Sequence, residues 1–511
     1  MNKRSLHTLA LVLIFLSGLG LRIYFLFQPL TLDEAGTYVQ FASHPLSLGL
    51  SYYPVPGNHL LNTFFIHFST RLFGSAEWAI WLPALIFGML ILPLTYVVVR
   101  RLLGKYPALF AFAFVAFAPA MVNYSVEARG YSLLTVIFLL LVWLSVEMKE
   151  KGLNAGRSIA FSLLSVLGFY TLPTMLYFWV ALVLWLLLST IVGDVHGSKK
   201  RFVGMLLVNC AATGALTFLL YLPVIHRMGL RSLTANEWVA TRQWSFFVSN
   251  LPNDLKGLWI FLTLGMPLAL ALAIALGFLL SVIFFRRLCP HKVNLPLVII
   301  VCSAALVLIQ RVNPFPRIWL PVMPLYFGFS FAGLFYGGKQ AARLMKIKAT
   351  HLGTMSSYLP EVVAIAIIVI FMFPVMLGPY PYLATQGENQ AIPNMKTVVS
   401  TIKDHIGSSD LVCVDEWTAP LYQYYFERLG IPIRQFAPNQ RIDAKTGSEI
   451  ARPEQYVLLY YRKSPNLQVL AQKTAEARGF NINSETVGYL RIGDYDAFFL
   501  KNSVPGRLSD A

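Results

Sequence analysis

The sequence predicts a polytopic α-helical membrane protein of about eleven spans, ending in a small α/β domain. Three observations predict it. Hydrophobic residues make up 56% of the 511 and charged residues only 13%, where a soluble domain carries about a quarter charged residues. Apolar windows long enough for a hydrocarbon core of about 30 Å recur up to residue 377. From residue 379 the long apolar runs stop, and 14 basic and 14 acidic residues share the remaining stretch. The expected division is therefore a membrane module over 1–378 and an α/β domain over 379–511.

The candidate spans are 6–27, 77–99, 107–122, 131–147, 157–172, 174–192, 202–222, 257–285, 293–310, 318–336 and 359–377. The first follows Lys3 and Arg4 as a signal peptide would. It is too long for a signal core and lacks a small-residue cleavage site, so it reads as a span. Only Pro173 parts the fifth window from the sixth.

Basic residues orient the chain. One alternating set of loops holds Lys3, Arg4, Arg100, Arg101, Lys105, Lys149, Lys151, Arg157, Lys199, Lys200, Arg201, Arg286, Arg287, Lys292, Lys339, Arg343, Lys346 and Lys348, 18 in all. The other set holds 8. The N-terminus is therefore expected in the cytoplasm, the first outer loop at about 28–76, and the C-terminal domain outside, in a multi-pass protein of the inner (plasma) membrane. The net charge of +17 lies wholly in the membrane part, with 27 basic and 10 acidic residues. It reports topology and contact with anionic membrane lipid, not nucleic acid. Four cysteines, Cys210, Cys289, Cys302 and Cys413, show neither metal-ligand spacing nor a disulfide framework.

Within the α/β domain a helix is expected near 393–406, a strand at 410–414, a helix near 418–429 and a strand near 431–436. Further strands are expected at 455–461 and 495–500. No glycine motif for cradling a nucleotide occurs there.

With this orientation every unusual polar cluster falls on the outer side: Asp33-Glu34, His44, Asn58-His59, Glu127-Ala128-Arg129-Gly130-Tyr131, and Arg311 through Arg317. An acidic pair in a loop can be mere solvated surface, and a single histidine can simply hold a loop. Arg71 reads as an interfacial residue whose charge snorkels to headgroups. Arg129 and Arg317 are different, because each abuts a span on the side where arginine is disfavoured and needs a partner or a purpose. Arginine forks neutralise a phosphate, and a carboxylate within reach can take the proton of an attacking hydroxyl. Together they suit transfer of a sugar away from a lipid phosphate.

These residues also carry a resemblance. Thr-Leu-Asp-Glu-Ala-Gly-Thr-Tyr at 31–38 resembles the Asp-Glu motif in the first outer loop of the GT-C superfamily of membrane glycosyltransferases. It is similar above all to family 39, which holds the protein O-mannosyltransferases and the lipid A aminoarabinose transferases. The Leu-Phe-Gly and Glu-Trp-Ala of 72–79, Val-Glu-Ala-Arg-Gly-Tyr at 126–131 and Pro-Arg-Ile-Trp-Leu-Pro at 316–321 resemble the family's later motifs in the expected order. Resemblance covers roughly residues 15–335. Asn58-His59-Leu60 departs from it, standing where many relatives have His-Pro-Pro.

The resemblance implies a GT-C fold and an inverting transferase that takes a sugar from a polyprenyl-phosphate donor to an envelope glycan, lipid or protein. On that pattern Asp33 is the base, and Glu34 orients it or helps to hold a divalent cation. Arg129 and Arg317 bind the donor phosphate, and Glu127 positions Arg129 or Tyr131. Asn58, His59 and Arg311 are the remaining candidates for substrate contact. The cation is optional, with Glu34 and His59 as its candidate ligands. Two other classes fit the composition: a flippase or transporter of lipid-linked sugars, and a non-catalytic envelope assembly protein. The first calls for charges along the spans and inverted repeats, whereas Arg22 is the main charge within a span.

Overall fold

The computed structural model describes residues 3–26, 29–234, 240–344, 359–367, 395–407, 410–414, 418–431, 436–438, 455–461, 487–492 and 495–501. Two compact units make up the chain. Met1–Phe27 and His44–Thr385 form one, and Gln28–Ser43 joins Gln386–Ala511 in the other. Sequence reasoning assigns the whole loop 28–76 to the membrane module, so the grouping of 28–43 with the C-terminal residues is a departure from it.

In chain order the first helices are α1 (Lys3–Phe25), α2 (Leu32–Thr37), α3 (Leu46–Gly49), α4 (Leu60–Phe73), α5 (Glu77–Leu103), α6 (Lys105–Phe117), α7 (Pro119–Asn123) and α8 (Tyr131–Lys151). Then come α9 (Ala155–Thr171), α10 (Met175–Ile191), α11 (Lys199–Met228), α12 (Arg231–Thr234), α13 (Trp244–Thr263) and α14 (Leu268–Ile283). The short α15 (Phe285–Leu288) leads to α16 (Leu295–Gln310), a 3₁₀ turn at Pro316–Val322 and α17 (Met323–Leu344).

All but α2 belong to the helical unit, which is a multi-pass membrane bundle. Among the described residues, five stretches are long and apolar enough to cross a membrane unaided: Arg4–Phe25, Glu77–Leu103, Tyr131–Lys151, Lys199–Met228 and Pro316–Leu344. Each of the eleven windows contains helix, and the last is helical over 359–367, its remainder lying outside the described residues.

Prolines set the breaks within those windows. Pro119 splits the third window into α6 and α7, and Pro173 separates α9 from α10, since proline removes a helical donor and clashes with the preceding turn. The window 257–285 is not one straight span. Gly265, at φ 74°, and Pro267 break it, and α13 meets α14 at 102°.

Packing inside the bundle is close. A Cβ on Gly333 would collide with the carbonyl oxygen of Gly277, so α14 and α17 cross backbone to backbone, as small residues permit in membranes. Arg22 is fully buried in α1, yet its guanidinium donates to the carbonyls of Gly18, Ala116 and Val115 at 3.1, 2.8 and 3.2 Å. Two of those oxygens lie at the C-terminal end of α6, where carbonyls have no helical partner and attract a cation.

At the bundle end where α5 and α8 finish, acids and bases neutralise one another. Arg101 pairs with Glu147 and, at 2.6 Å, with Glu150. The Lys149 ammonium lies 2.7 Å from Asp194 and 3.8 Å from the centre of the Trp185 ring.

The second unit is built on a five-stranded mixed sheet. Its strands are β1 (Leu411–Val414), β2 (Phe436–Pro438), β3 (Gln455–Tyr461), β4 (Val487–Ile492) and β5 (Tyr495–Lys501), in the order β2-β1-β3-β5-β4. β1 runs parallel to β2 and β3, while β5 is antiparallel to β3 and β4. Helices α18 (Met395–Lys403) and α19 (Ala419–Arg428) belong to it. All four residues of β1 are buried, as suits a central strand. The strand expected near 431–436 appears at 436–438, with 432–435 outside the described residues. β4 is an addition to the sequence expectation.

Candidate active site

In the helical unit the expected residues come from two loops held together by side-chain to backbone bonds. Asn62, on the first turn of α4, donates to the Ala128 carbonyl at 3.1 Å. The Arg129 guanidinium donates to the Gly57 carbonyl at 2.9 Å, and the Gly130 N–H donates to His59 Nδ1 at 2.8 Å. These bonds cross 66 to 72 residues and draw the segment before α4 onto the segment before α8. The loop ahead of α8 turns tightly, with the Arg129 N–H 2.6 Å from the Glu127 carbonyl. Gly130 leaves room for nothing larger, because a Cβ there would stand 3.1 Å from His59 Nδ1 and 2.9 Å from Thr171 Cγ2.

His59 caps this arrangement. It is 2% exposed, stands edge-on to the Tyr131 ring at 5.2 Å between centres, and accepts through Nδ1, which puts its proton on Nε2. Burial above all, then the charges of Arg129 and Arg317, hold it well below the usual histidine range. It is therefore neutral at physiological pH. The Arg317 guanidinium lies 4.7 Å from the centre of the Phe315 ring. Glu127, Arg129 and Tyr131 are all buried.

Asn58 is committed to its own loop. Its Nδ2 donates to the carbonyls of Gly49 and Tyr52, and its Oδ1 accepts from Thr63. Such a side chain holds the loop in shape and keeps no donor for a substrate. Arg311 is the C-cap of α16 at φ 53°, and its guanidinium lies 5.6 Å from the centre of the Trp244 ring.

Asp33 and Glu34 belong to the other unit, on α2. Thr31 starts that helix with a capping box: its N–H donates to Glu34 Oε2 at 2.7 Å, and its Oγ1 accepts from the Glu34 N–H at 3.4 Å. Glu34 is accordingly buried, whereas Asp33, about 100° further back around the helix, is half-buried. A single π-helical turn, Tyr38–Ala42, follows directly.

Among the described residues no three histidine, cysteine, aspartate or glutamate side chains gather as a metal site. The two candidate ligands are otherwise engaged, Glu34 Oε2 in the capping box and His59 Nδ1 with the Gly130 N–H.

Sequence reasoning misses Tyr53 and Asn62. Tyr53 is buried beside Leu60, Tyr221 and Val224. Burial pushes its hydroxyl up to about 12, against the opposing pull of Arg129. Nothing in Tyr52-Tyr53 marks it in advance. Asn62 does carry a signal, since it lies one helical turn from His59 and shares its face.

Comparison with known proteins places this geometry. Residues 57–220 match the model of the dolichyl-phosphate-mannose-protein mannosyltransferase family, a stretch holding His59, Glu127, Arg129 and Tyr131. No curated protein matches the sequence. Crystal structures of ArnT from Cupriavidus metallidurans match across 97% of both chains at 13% identity, with a TM-score of 0.59 for the apo state. The form bound to undecaprenyl phosphate scores 0.58. The apo Archaeoglobus fulgidus oligosaccharyltransferase matches 83% of this chain and 64% of its own, at 12% identity and a TM-score of 0.51. These likenesses are likenesses of fold.

Proposed function

We propose that this protein is a membrane glycosyltransferase of the GT-C superfamily, and that it moves a sugar from a polyprenyl-phosphate donor to an envelope acceptor, with inversion, on the extracytoplasmic face. The observation that carries the reading is Arg129. It is a buried cation, 6% exposed, fixed by the Gly57 carbonyl beside a histidine that stays neutral. A charge kept in such surroundings costs too much to be idle, and its planar fork suits a phosphate. The undecaprenyl phosphate in the similar ArnT structure supports a ligand of that class.

The chemistry follows from the residues. Asp33 takes the proton of the acceptor hydroxyl as its oxygen attacks the anomeric carbon. The bond from that carbon to the phosphate oxygen breaks, and the electron pair leaves with the polyprenyl phosphate. Arg129 and Arg317 neutralise the departing phosphate. No acid is required, because a phosphodiester is already a good leaving group. Attack opposite the leaving group inverts the anomeric centre. The alternation of basic loops supports an outer location for this face.

The test is transfer from a synthetic polyprenyl-phosphate sugar by the purified protein in detergent. Asp33→Asn keeps the side-chain shape and removes the base, so turnover should fall by about 10²–10⁴-fold with donor affinity near normal. Turnover at the wild-type rate would remove Asp33 as the base. Transbilayer movement of the lipid-linked sugar without transfer would point to a flippase instead.

A further inference from the structure

We propose that Tyr425 and Tyr424, in the C-terminal α/β unit, are positioning residues for Asp33, so that the domain takes part in the transfer step as well as in assembly. The proposal rests on the reading of Asp33 as the base. Helix α2 has six residues, far fewer than an isolated helix needs to persist in water. Its capping box satisfies the first turn, but a box fixes a helix start and not its place in a protein. Packing must do that, and the packing comes from α19.

Four observations describe the contact, all within the second unit. The Leu30 N–H, just ahead of the cap, donates to Tyr425 Oη at 3.3 Å. The Tyr38 ring, just past α2, meets the Tyr424 ring edge-on at 5.8 Å and 88°. Leu30 and Ala35 are fully buried, and Tyr424 and Tyr425 are each 1% exposed. The two tyrosines also pack on one another, 5.0 Å between centres. One tyrosine thus holds the chain where it enters α2 and the other where it leaves, with Asp33 between them. Adjacent tyrosines on one helix set both ends of the segment, so its angle is fixed as well as its position.

A placed base is sensitive to such support, since a shift of about 1 Å in a reacting group can cost on the order of 10²-fold in rate. Tyr425→Phe keeps the ring and leaves the Leu30 N–H without its acceptor. It should lower kcat by roughly tenfold or more, within that range, while KM for a synthetic polyprenyl-phosphate sugar stays unchanged. Tyr424→Leu removes the ring edge from Tyr38 by a second route and should act in the same direction. Full-length variants are compared in detergent, with thermal unfolding as the check on folding.

The discriminating readout is the pair with Asp33→Asn. If Tyr425 acts through Asp33, the double variant is no slower than Asp33→Asn alone. An equal tenfold loss in both backgrounds would show that Tyr425 acts elsewhere and overturn the proposal. So would Tyr425→Phe and Tyr424→Leu both folding and turning over at the wild-type rate while Asp33→Asn is impaired. A wild-type rate for Asp33→Asn is a separate result, which removes the base and the positioning together.

Discussion

The helix that carries Asp33 and the loops that carry His59 and Arg129 are held by different means. In the helical unit, side chains bond to backbone across 66 to 72 residues, and each bond has a side-chain partner that only certain residues supply. In the α/β unit, a capping box within four residues starts α2, and a hydrogen bond from Leu30 to Tyr425, 395 residues away, seats it together with the ring contact of Tyr38 and Tyr424. Polar fastening leaves a motif in the sequence, whereas packing leaves almost none.

The largest test of this contrast is Asp33→Asn, whose expected loss of about 10²–10⁴-fold measures the proton transfer proposed for Asp33. Next come Arg129→Lys and Arg317→Lys. Each keeps the charge and loses the planar fork, so kcat should fall by about 10²-fold, the low end for removing a preorganised donor. Lysine variants with full turnover would leave the arginines as interfacial anchors. Gly130→Ala reaches the same loops without touching charge. Its methyl would press on His59 Nδ1 and Thr171, costing about 1–3 kcal/mol as overpacking does, visible as a lower Tm in detergent.

The smallest effect concerns pH. Folding holds the His59 ring below its ordinary range, so below about pH 6.5 the unfolded chain binds a proton that the folded chain refuses. Stability from this site is therefore full above that pH and falls as the solution is acidified, by at most about 1.4 kcal/mol per pH unit. His59→Gln, read by Tm at pH 7.5 and 5.5, should flatten the slope. An unchanged slope would assign the acid sensitivity to other groups.

Much of the helical unit is legible in advance, because a membrane imposes a length and a hydropathy that single residues report. Pro173 marks a real break, but Pro119 and Pro267 lie inside windows that hydropathy alone reads as continuous, so the split between α6 and α7 and the bend between α13 and α14 escape it. In the α/β unit, Leu411–Val414 and Gln455–Tyr461 are visible as apolar runs. β4 is harder, with Gly488 and Arg491 diluting its pattern. Asp33, Arg129 and Arg317 stand out because charges are rare in such a chain. Tyr425 does not, because its contact with Leu30 is written in the fit of distant surfaces. Asn58 shows the converse, a polar residue in a suggestive motif whose capacity the loop itself consumes.

The span of 395 residues between Leu30 and Tyr425 also has a meaning in time. Chains are made at about 5–20 residues per second, so α2 would leave the ribosome roughly 20 to 80 seconds before the tyrosines that seat it. During that interval the spans of the helical unit are inserted one after another, with the acidic helix still unseated. Activity would then begin only once translation has passed α19, and a nascent or interrupted chain could not act on lipid-linked sugar at the membrane. The order of synthesis would itself guard the donor pool.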